Sequence, residues 1–172
     1  MKFLLFLTLP LTFTLAVQAE DLANHSVFKH YLGKWTAEGE LKGTDNNVVT
    51  VTEDWEGKSD GDNTFVLAGS RTLNKDTTTF KWTFALNPAA GTCEANLTAG
   101  DGSQPLRFEV NISDVNLTLE MKALTGQTSA ITVKDEFPDE KHEALVSHVI
   151  FTNDEGKTTL EGDIKHKKTP KL

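Results

Sequence analysis

The sequence predicts an all-β protein: an antiparallel up-and-down meander of about ten strands, closed into a barrel and preceded by a short N-terminal helix. Beyond Gly33, apolar and polar residues alternate with a period of two almost to the end of the chain. Short connections rich in Gly, Asn, Asp and Pro separate these segments, as tight turns require. Such connections make consecutive strands antiparallel, and closure into a barrel removes exposed strand edges. A twisted sandwich of two sheets is the alternative.

Residues 1–19 have the pattern of a secretory signal peptide. Lys2 supplies the positive start, residues 3–17 are mostly apolar, and small residues stand three and one before a cut after Ala19. The apolar stretch contains Pro10 and is shorter than the roughly 20 residues that span a bilayer. We therefore expect a single domain over residues 20–172, a secreted or periplasmic location, and no membrane span.

The mature chain is predicted to begin with one short helix within residues 21–33. Phe28, Tyr31 and Leu32 share one helical face, and Gly33 is a natural helix stop. Ten strand candidates then follow, each bounded by turn-forming residues: 35–42, 48–56, 64–73, 78–86, 92–98, 106–113, 115–123, 128–137, 143–152 and 157–166.

Alternation assigns one face of each strand to the barrel interior. The ninth strand is ambiguous: either Leu145, Ser147, Val149 and Phe151 face inward, or Val146, His148 and Ile150 do. The inward residues predicted for the first seven strands are Trp35, Ala37, Gly39, Leu41, Val49, Val51, Trp55, Phe65, Leu67, Leu73, Phe80, Trp82, Phe84, Leu86, Cys93, Ala95, Leu97, Leu106, Phe108, Val110, Ile112, Val115, Leu117, Leu119 and Met121.

The composition narrows the possible functions. The chain has 172 residues, of which 38% are hydrophobic and 24% charged, as is typical of one globular domain. The net charge of −8 argues against a nucleic-acid-binding protein, which usually has a basic face. Because Cys93 is the single cysteine, neither an intramolecular disulfide nor a cysteine-rich zinc site can form. Its alternation with apolar neighbours predicts a buried structural thiol.

A short motif joins the predicted helix to the first strand. Leu32-Gly33-Lys34-Trp35 places a Gly-x-Trp at the helix end. This motif resembles the signature of lipocalins and the wider calycin group, in which the Trp packs across one end of the barrel. The longer stretch GKWTAEGE is similar to the opening of ten-stranded nitrobindin-type barrels and of secreted bacterial lipocalin-like domains of unassigned function. The resemblance implies structural roles for Gly33 and Trp35. Without lipocalin disulfides or the later lipocalin motifs, it transfers no activity.

Four polar residues stand where the alternation points inward: Glu53, Arg71, Asp135 and His166. A charge in a dry core costs several kcal/mol, so each must be paired, hydrated or near a ligand. The functional interpretation is a hydrated cavity in which Arg71 meets an anionic ligand group, because a guanidinium donates two parallel hydrogen bonds to a carboxylate. The structural interpretation is that Glu53 and Arg71 neutralise each other or lie at the rim. A bulge at Gly69 would instead expose Arg71.

We therefore predict an exported barrel that binds a small apolar or amphipathic molecule, with an anionic group as one option. No catalytic or metal-binding spacing is present in the sequence, and no cofactor is expected. The predicted ligand-binding residues are Arg71, Glu53, Trp55, Phe65, Phe80, Trp82, Phe84, Phe108 and Asp135.

Two alternatives stay open. The first is a calycin-type barrel enzyme or a haem-binding protein, marked by a His, a Glu and an Arg in one pocket, with His148 or His166 as the ligand to haem iron. The second is a structural or interaction module whose interior is packed solid. A cavity larger than about 300 Å3 would favour ligand binding over the packed module.

Overall fold

The protein folds as the all-β barrel that the sequence predicts. The computed structural model describes residues 22, 24–61, 63–87, 90–124 and 130–170, so the predicted signal peptide lies outside the described residues. One helix and ten strands are present: α1 Phe28–Tyr31, β1 Gly33–Gly43, β2 Val48–Ser59, β3 Thr64–Leu73, β4 Asp76–Asn87, β5 Thr92–Ala99, β6 Leu106–Ser113, β7 Thr118–Ala123, β8 Ala130–Glu136, β9 Ala144–Thr152 and β10 Thr158–Lys168.

The sheet closes on itself. Each strand pairs antiparallel with the next in the chain, and β1 pairs with β10 as well as with β2. The up-and-down meander is therefore confirmed, in place of the sandwich. In β9, Leu145, Ser147 and Val149 are buried while His148 is exposed, which settles the ambiguity of this strand.

The seventh strand begins later than predicted. Residues 114–117 form a turn, in which Leu117 has φ of 52° and Val115 is 93% exposed. The inward orientation predicted for Val115 is therefore wrong. Alternation of apolar residues continues through the turn, so hydrophobicity alone did not mark the strand end. Leu73, at the end of β3, is also 38% exposed.

The segment before β1 closes one end of the barrel. Phe28 of α1 packs against Phe65 and Phe84, with ring centroids 5.2 Å apart in both pairs. Helix α1 ends where Leu32 adopts an extended conformation, and Gly33 follows with φ of +100°, a region that favours glycine. Trp35 is 1% exposed at this end.

Gly57 of β2 allows the segment before β1 to pack close to the barrel wall. A Cβ atom at this position would lie 2.1 Å from the carbonyl oxygen of Tyr31, which is backbone and has little room to move. The same Tyr31 oxygen accepts a hydrogen bond from Nε1 of Trp35 at 3.1 Å. The closed end therefore combines side-chain packing with a backbone contact that only glycine permits.

The two ends of the barrel therefore differ: α1 closes one end, and the other end is open. The β2–β3, β4–β5, β6–β7 and β8–β9 connections lie at the end closed by α1, because the strands alternate in direction. The β1–β2, β3–β4 and β9–β10 turns lie at the opposite end, which we call the mouth. Any interior site is therefore reached from the mouth.

Candidate functional site

The barrel encloses a cavity of about 340 Å3. This volume lies within the range of small-molecule pockets, so the interior is not packed solid. Leu73 lines the cavity and is 38% exposed, so the cavity reaches solvent at the mouth. Most of the wall is apolar. The lining residues other than the predicted ligand-binding set are Tyr31, Leu41, Val49, Val51, Leu67, Leu73, Leu97, Met121, Ile131, Val133, Leu145, Ser147, Val149, Phe151, Leu160, Ile164 and His166.

Eight of the nine predicted ligand-binding residues line this cavity. The exception is Phe65, which is fully buried against Phe28 at the closed end and is not part of the cavity wall. Phe65 therefore packs as part of the closed end of the barrel, and a role in ligand binding stays a prediction. The residues that do line the cavity are Arg71, Glu53, Trp55, Phe80, Trp82, Phe84, Phe108 and Asp135. Their contact with a ligand stays a prediction.

Glu53 and Arg71 form the internal ion pair that their positions on adjacent strands suggested. Arg71 Nε donates to Glu53 Oε1 at 2.5 Å, and the guanidinium carbon lies 4.8 Å from the ring centroid of Phe80. The Glu53 side chain is 4% exposed and that of Arg71 is 26% exposed. This end-on geometry leaves the two terminal amino groups of Arg71 without a hydrogen-bond partner among the described residues.

The strand is regular where a bulge was considered. Gly69 pairs with Trp55 and Phe80 in a continuous register, so the phase of β3 is kept and Arg71 points inward. A Cβ atom at Gly69 would lie 1.9 Å from the carbonyl oxygen of Asp54. Glycine here therefore serves the close approach of β2 and β3.

A chain of hydrogen bonds crosses the floor of the cavity. Trp55 Nε1 donates to His166 Nδ1 at 3.1 Å, and His166 Nε2 lies 2.9 Å from the Ser147 hydroxyl. Because an indole N–H can only donate, Nδ1 must accept and the proton of the neutral ring sits on Nε2. Burial lowers the pKa of His166 to about 4; the Arg71 charge acts in the same direction and the Glu53 charge opposes it. His166 is therefore neutral near pH 7 and donates to Ser147.

Asp135 completes the floor. Its Oδ2 accepts a hydrogen bond from the Tyr31 hydroxyl at 2.9 Å, whereas its buried Oδ1 has no hydrogen-bond partner among the described residues. Burial raises the pKa of Asp135 to about 6; the Ser147 and Tyr31 hydroxyls oppose this rise, and the Glu53 charge adds to it. Burial and the Asp135 charge raise the pKa of Tyr31, which stays a donor.

His166, Glu53 and Arg71 therefore line one cavity. This is the arrangement that the enzyme alternative predicted. The proton positions do not suit nucleophilic catalysis by Ser147, however. A general base must accept the proton of the nucleophile, and His166 Nε2 already carries a proton. Ser147 and His166 thus form a structural hydrogen bond rather than a nucleophile–base pair.

Neither candidate histidine presents a free ring nitrogen to the cavity. His166 uses both nitrogens within the network, and His148 lies on the outer face with Nδ1 2.8 Å from Asp163 Oδ1. In the described part of the chain, no group of three or more His, Cys, Asp or Glu side chains could hold a metal ion. None of the helices described is long and apolar enough to cross a membrane.

Sequence reasoning did not assign Tyr31 and Ser147 to the site. Tyr31 was placed on the apolar face of a helix, and its hydroxyl reaches Asp135 only because the helix folds over the barrel end. Ser147 depended on the undecided phase of β9. His166 was recognised as an inward polar residue, and Cys93 is buried as its alternation predicted.

Comparisons with known proteins identify the architecture alone. No family model matches the chain, and no curated protein matches it. Among solved structures, the S-type phycobiliprotein lyase CPES from Guillardia theta is similar, with a TM-score of 0.59 and 10% sequence identity. The match covers 84% of this chain and 91% of the lyase chain. This likeness supports the barrel architecture, and membership of a particular family stays a prediction.

Proposed function

We propose that the protein is exported and binds a small amphipathic molecule with an anionic group inside its barrel. The observation that carries this proposal is the cavity of about 340 Å3, apolar on most of its wall, with the partly exposed Arg71 among the residues that line it. Apolar walls supply affinity, and a few placed polar groups supply orientation. The alternative of a packed structural module predicts a filled interior, and the cavity does not fit that alternative.

The placement of Arg71 favours an anionic group near the mouth. Arg71 lies two residues before the end of β3 and is partly exposed, so it reaches both the cavity and solvent. Glu53 accepts a hydrogen bond from Nε, and the terminal amino groups have no hydrogen-bond partner among the described residues. An anion at these amino groups would gain charge-assisted hydrogen bonds while its apolar part enters the cavity.

The structural neighbour supports the general idea of a functional barrel without fixing the ligand. The phycobiliprotein lyase uses a barrel of similar topology, at an identity too low to carry its activity to this chain. The ligand class proposed here therefore depends on the chemistry of Arg71 and the apolar wall.

Replacing Arg71 with methionine should weaken binding of decanoate by about tenfold to a hundredfold, because charge-assisted hydrogen bonds are lost. Binding of decanol, the neutral counterpart, should change little. Isothermal titration calorimetry with both probes measures the difference. Since the single change strands Glu53 without its partner, the double variant Glu53→Gln/Arg71→Met serves as the folded control. Equal loss of both probes, or undiminished decanoate binding, would count against anion recognition by Arg71.

Export can be tested separately from binding. We expect the mature protein to begin at Glu20 and to contain 153 residues, with a net charge of −9 because Lys2 is removed. Mass spectrometry of the protein purified from the extracytoplasmic fraction of its native cells measures the N-terminus directly. A protein that retains residues 1–19 in the cytoplasm would contradict this part of the proposal.

A further inference from the structure

We infer that His30 and the β8–β9 loop, residues 137–143, form an acid-sensitive latch, in which protonation of His30 releases the loop from α1 and opens the closed end of the barrel. This inference goes beyond the proposed function, because it concerns the closed end of the barrel and requires no ligand. An open latch gives the cavity a second route to solvent, besides the mouth.

The first argument is that ring packing alone connects the loop to α1. The imidazole of His30 lies against both ends of the loop, with ring centroids 5.5 Å from Phe137 and 4.0 Å from His142. Tyr31 adds an edge-to-face contact with Phe137, at 5.2 Å between centroids. Among the described residues, no hydrogen bond joins α1 to residues 137–143. A charge on the His30 ring therefore acts directly on the contact that holds the loop.

The second argument is that the charges acting on His30 oppose a proton on its ring. His142 acts from the loop, Lys29 from the same helix and Lys168 from the end of β10. Lys168 Nζ also donates to the His30 carbonyl at 3.1 Å, which keeps its ammonium group at α1. Among the described residues, no carboxylate forms an ion pair with His30. The other charged residues of the loop are Asp139, Glu140, Lys141 and Glu143.

The third argument is that release of the loop breaks few other bonds. Asp139 accepts hydrogen bonds from the backbone N–H groups of Glu143 and Ala144, at 3.2 and 3.1 Å. These two bonds lie within the loop and its junction with β9, so they survive its separation from α1. The backbone N–H of Lys168 donates to the Glu143 carbonyl at 2.9 Å, and this bond joins the loop to β10. Its loss would expose the Lys168 amide to hydrogen exchange.

An opening at this place reaches the cavity. Tyr31 lines the cavity, and its ring packs against Phe137 of the loop. The ring of Trp35, which closes the same end, has its centroid 6.5 Å from that of Phe137. When the loop leaves α1, Phe137 leaves both rings, and the floor of the cavity loses its cover on this side.

The size of the effect follows from the titration of His30. Burial lowers the pKa of His30 from 6.5 to about 4, and the charges of His142, Lys29 and Lys168 act in the same direction. A ring released to solvent regains its ordinary pKa, so the closed latch is stable above pH 6.5 and weakens as the pH falls towards 4. The opening equilibrium should therefore rise about thirtyfold between pH 7.5 and pH 5.

Amide hydrogen exchange followed by NMR tests this inference on the intact protein. The informative amides are those of Lys168 and of His30, which donates to the Val27 carbonyl at 3.1 Å. After correction for the intrinsic exchange rate at each pH, their protection should fall about thirtyfold from pH 7.5 to pH 5. The Asn74 amide, which donates to the Thr50 carbonyl at 2.9 Å at the mouth, is the reference and should change little.

Two variants remove the proton acceptor from the latch. His30→Phe keeps a ring against Phe137 and His142, and His30→Gln keeps a polar side chain that takes up no proton. In both variants the protection of the Lys168 amide, relative to the Asn74 amide, should be independent of pH. His148→Gln is the matched control on the outer face of β9 and should keep the wild-type response.

Three results would overturn the latch. The first is constant protection of the Lys168 and His30 amides in the wild-type protein between pH 7.5 and pH 5. The second is a fall in protection that persists in both His30 variants, which would assign the response to another group. The third is a parallel fall at Asn74, which would mean that acid destabilises the whole barrel.

Discussion

Replacing Trp35 with alanine should lower the free energy of unfolding by about 3–5 kcal/mol, the usual cost of removing a large buried aromatic side chain. Trp35 is 1% exposed and stacks on Trp55, with ring centroids 5.3 Å apart and an interplanar angle of 12°. It also donates to the Tyr31 carbonyl at 3.1 Å. The substitution therefore opens a cavity at the closed end and leaves a backbone acceptor unpaired. Urea unfolding followed by circular dichroism measures the change.

Two variants control this measurement. Trp35→Phe keeps an aromatic ring but loses the N–H donor, so its loss of stability should be smaller than that of Trp35→Ala. Thr36→Ala alters the neighbouring exposed position and should change the free energy of unfolding by no more than about 0.5 kcal/mol. If Trp35→Ala were as stable as the wild type, Trp35 would not be part of the closure of the barrel.

The stability of the protein should respond to pH through two buried groups whose effects are opposite in sign. The pKa of Asp135 is raised from 3.8 to about 6 in the folded state, so its stabilising contribution is complete below pH 4 and is lost as the pH rises to 6. The pKa of His166 is lowered from 6.5 to about 4, so stability is lost as the pH falls over nearly the same range. Each difference in pKa corresponds to about 3 kcal/mol, and the two largely cancel.

Removing either group should expose the effect of the other. Relative to the wild type, Asp135→Asn should gain about 3 kcal/mol in the free energy of unfolding as the pH rises from 4 to 6, because the penalty of the carboxylate disappears. His166→Gln should gain a similar amount, relative to the wild type, as the pH falls from 6.5 to 4. Urea titrations at a series of pH values measure both curves.

Difference curves isolate these two groups from the rest of the molecule. Burial, with the nearby charges of His142, Lys29 and Lys168, lowers the pKa of His30 to about 4, but His30 is unchanged in both variants and cancels. Glu53 and Arg71, the charged neighbours inside the cavity, are also retained. If both variants gave curves parallel to that of the wild type, neither Asp135 nor His166 would be buried in the folded protein.

The fold was predictable because period-two alternation is set by the geometry of a strand. One face of almost every strand is apolar, and the turns between them carry Gly, Asn and Asp. The prediction was wrong at Val115, where an apolar residue in a turn continues the alternation by coincidence. Alternation assigns a residue to one face of a sheet only where the residue lies in a strand, and Val115 lies in a turn.

The site was predictable only in part for a related reason. Alternation tells whether a side chain points inward but not how far along the barrel it lies, so Phe65 was assigned to the cavity when it belongs to the closed end. Tyr31 lies outside the sheet and reaches Asp135 through the packing of α1. The proton on His166 follows from its contact with Trp55, which is far away in the sequence. Such relations depend on tertiary structure and leave no local pattern.

The two ends of the barrel suggest a scaffold for protein engineering. The segment before β1 and the hydrogen-bonded floor lie at one end of the barrel, whereas the β1–β2, β3–β4 and β9–β10 turns surround the mouth. Turn residues at the mouth can therefore be randomised in a library with little effect on the packing of Phe28 and Trp35. Selection from such a library would change which ligands enter the cavity. The residues of the closed end, which stabilise the fold, would keep their sequence in every variant.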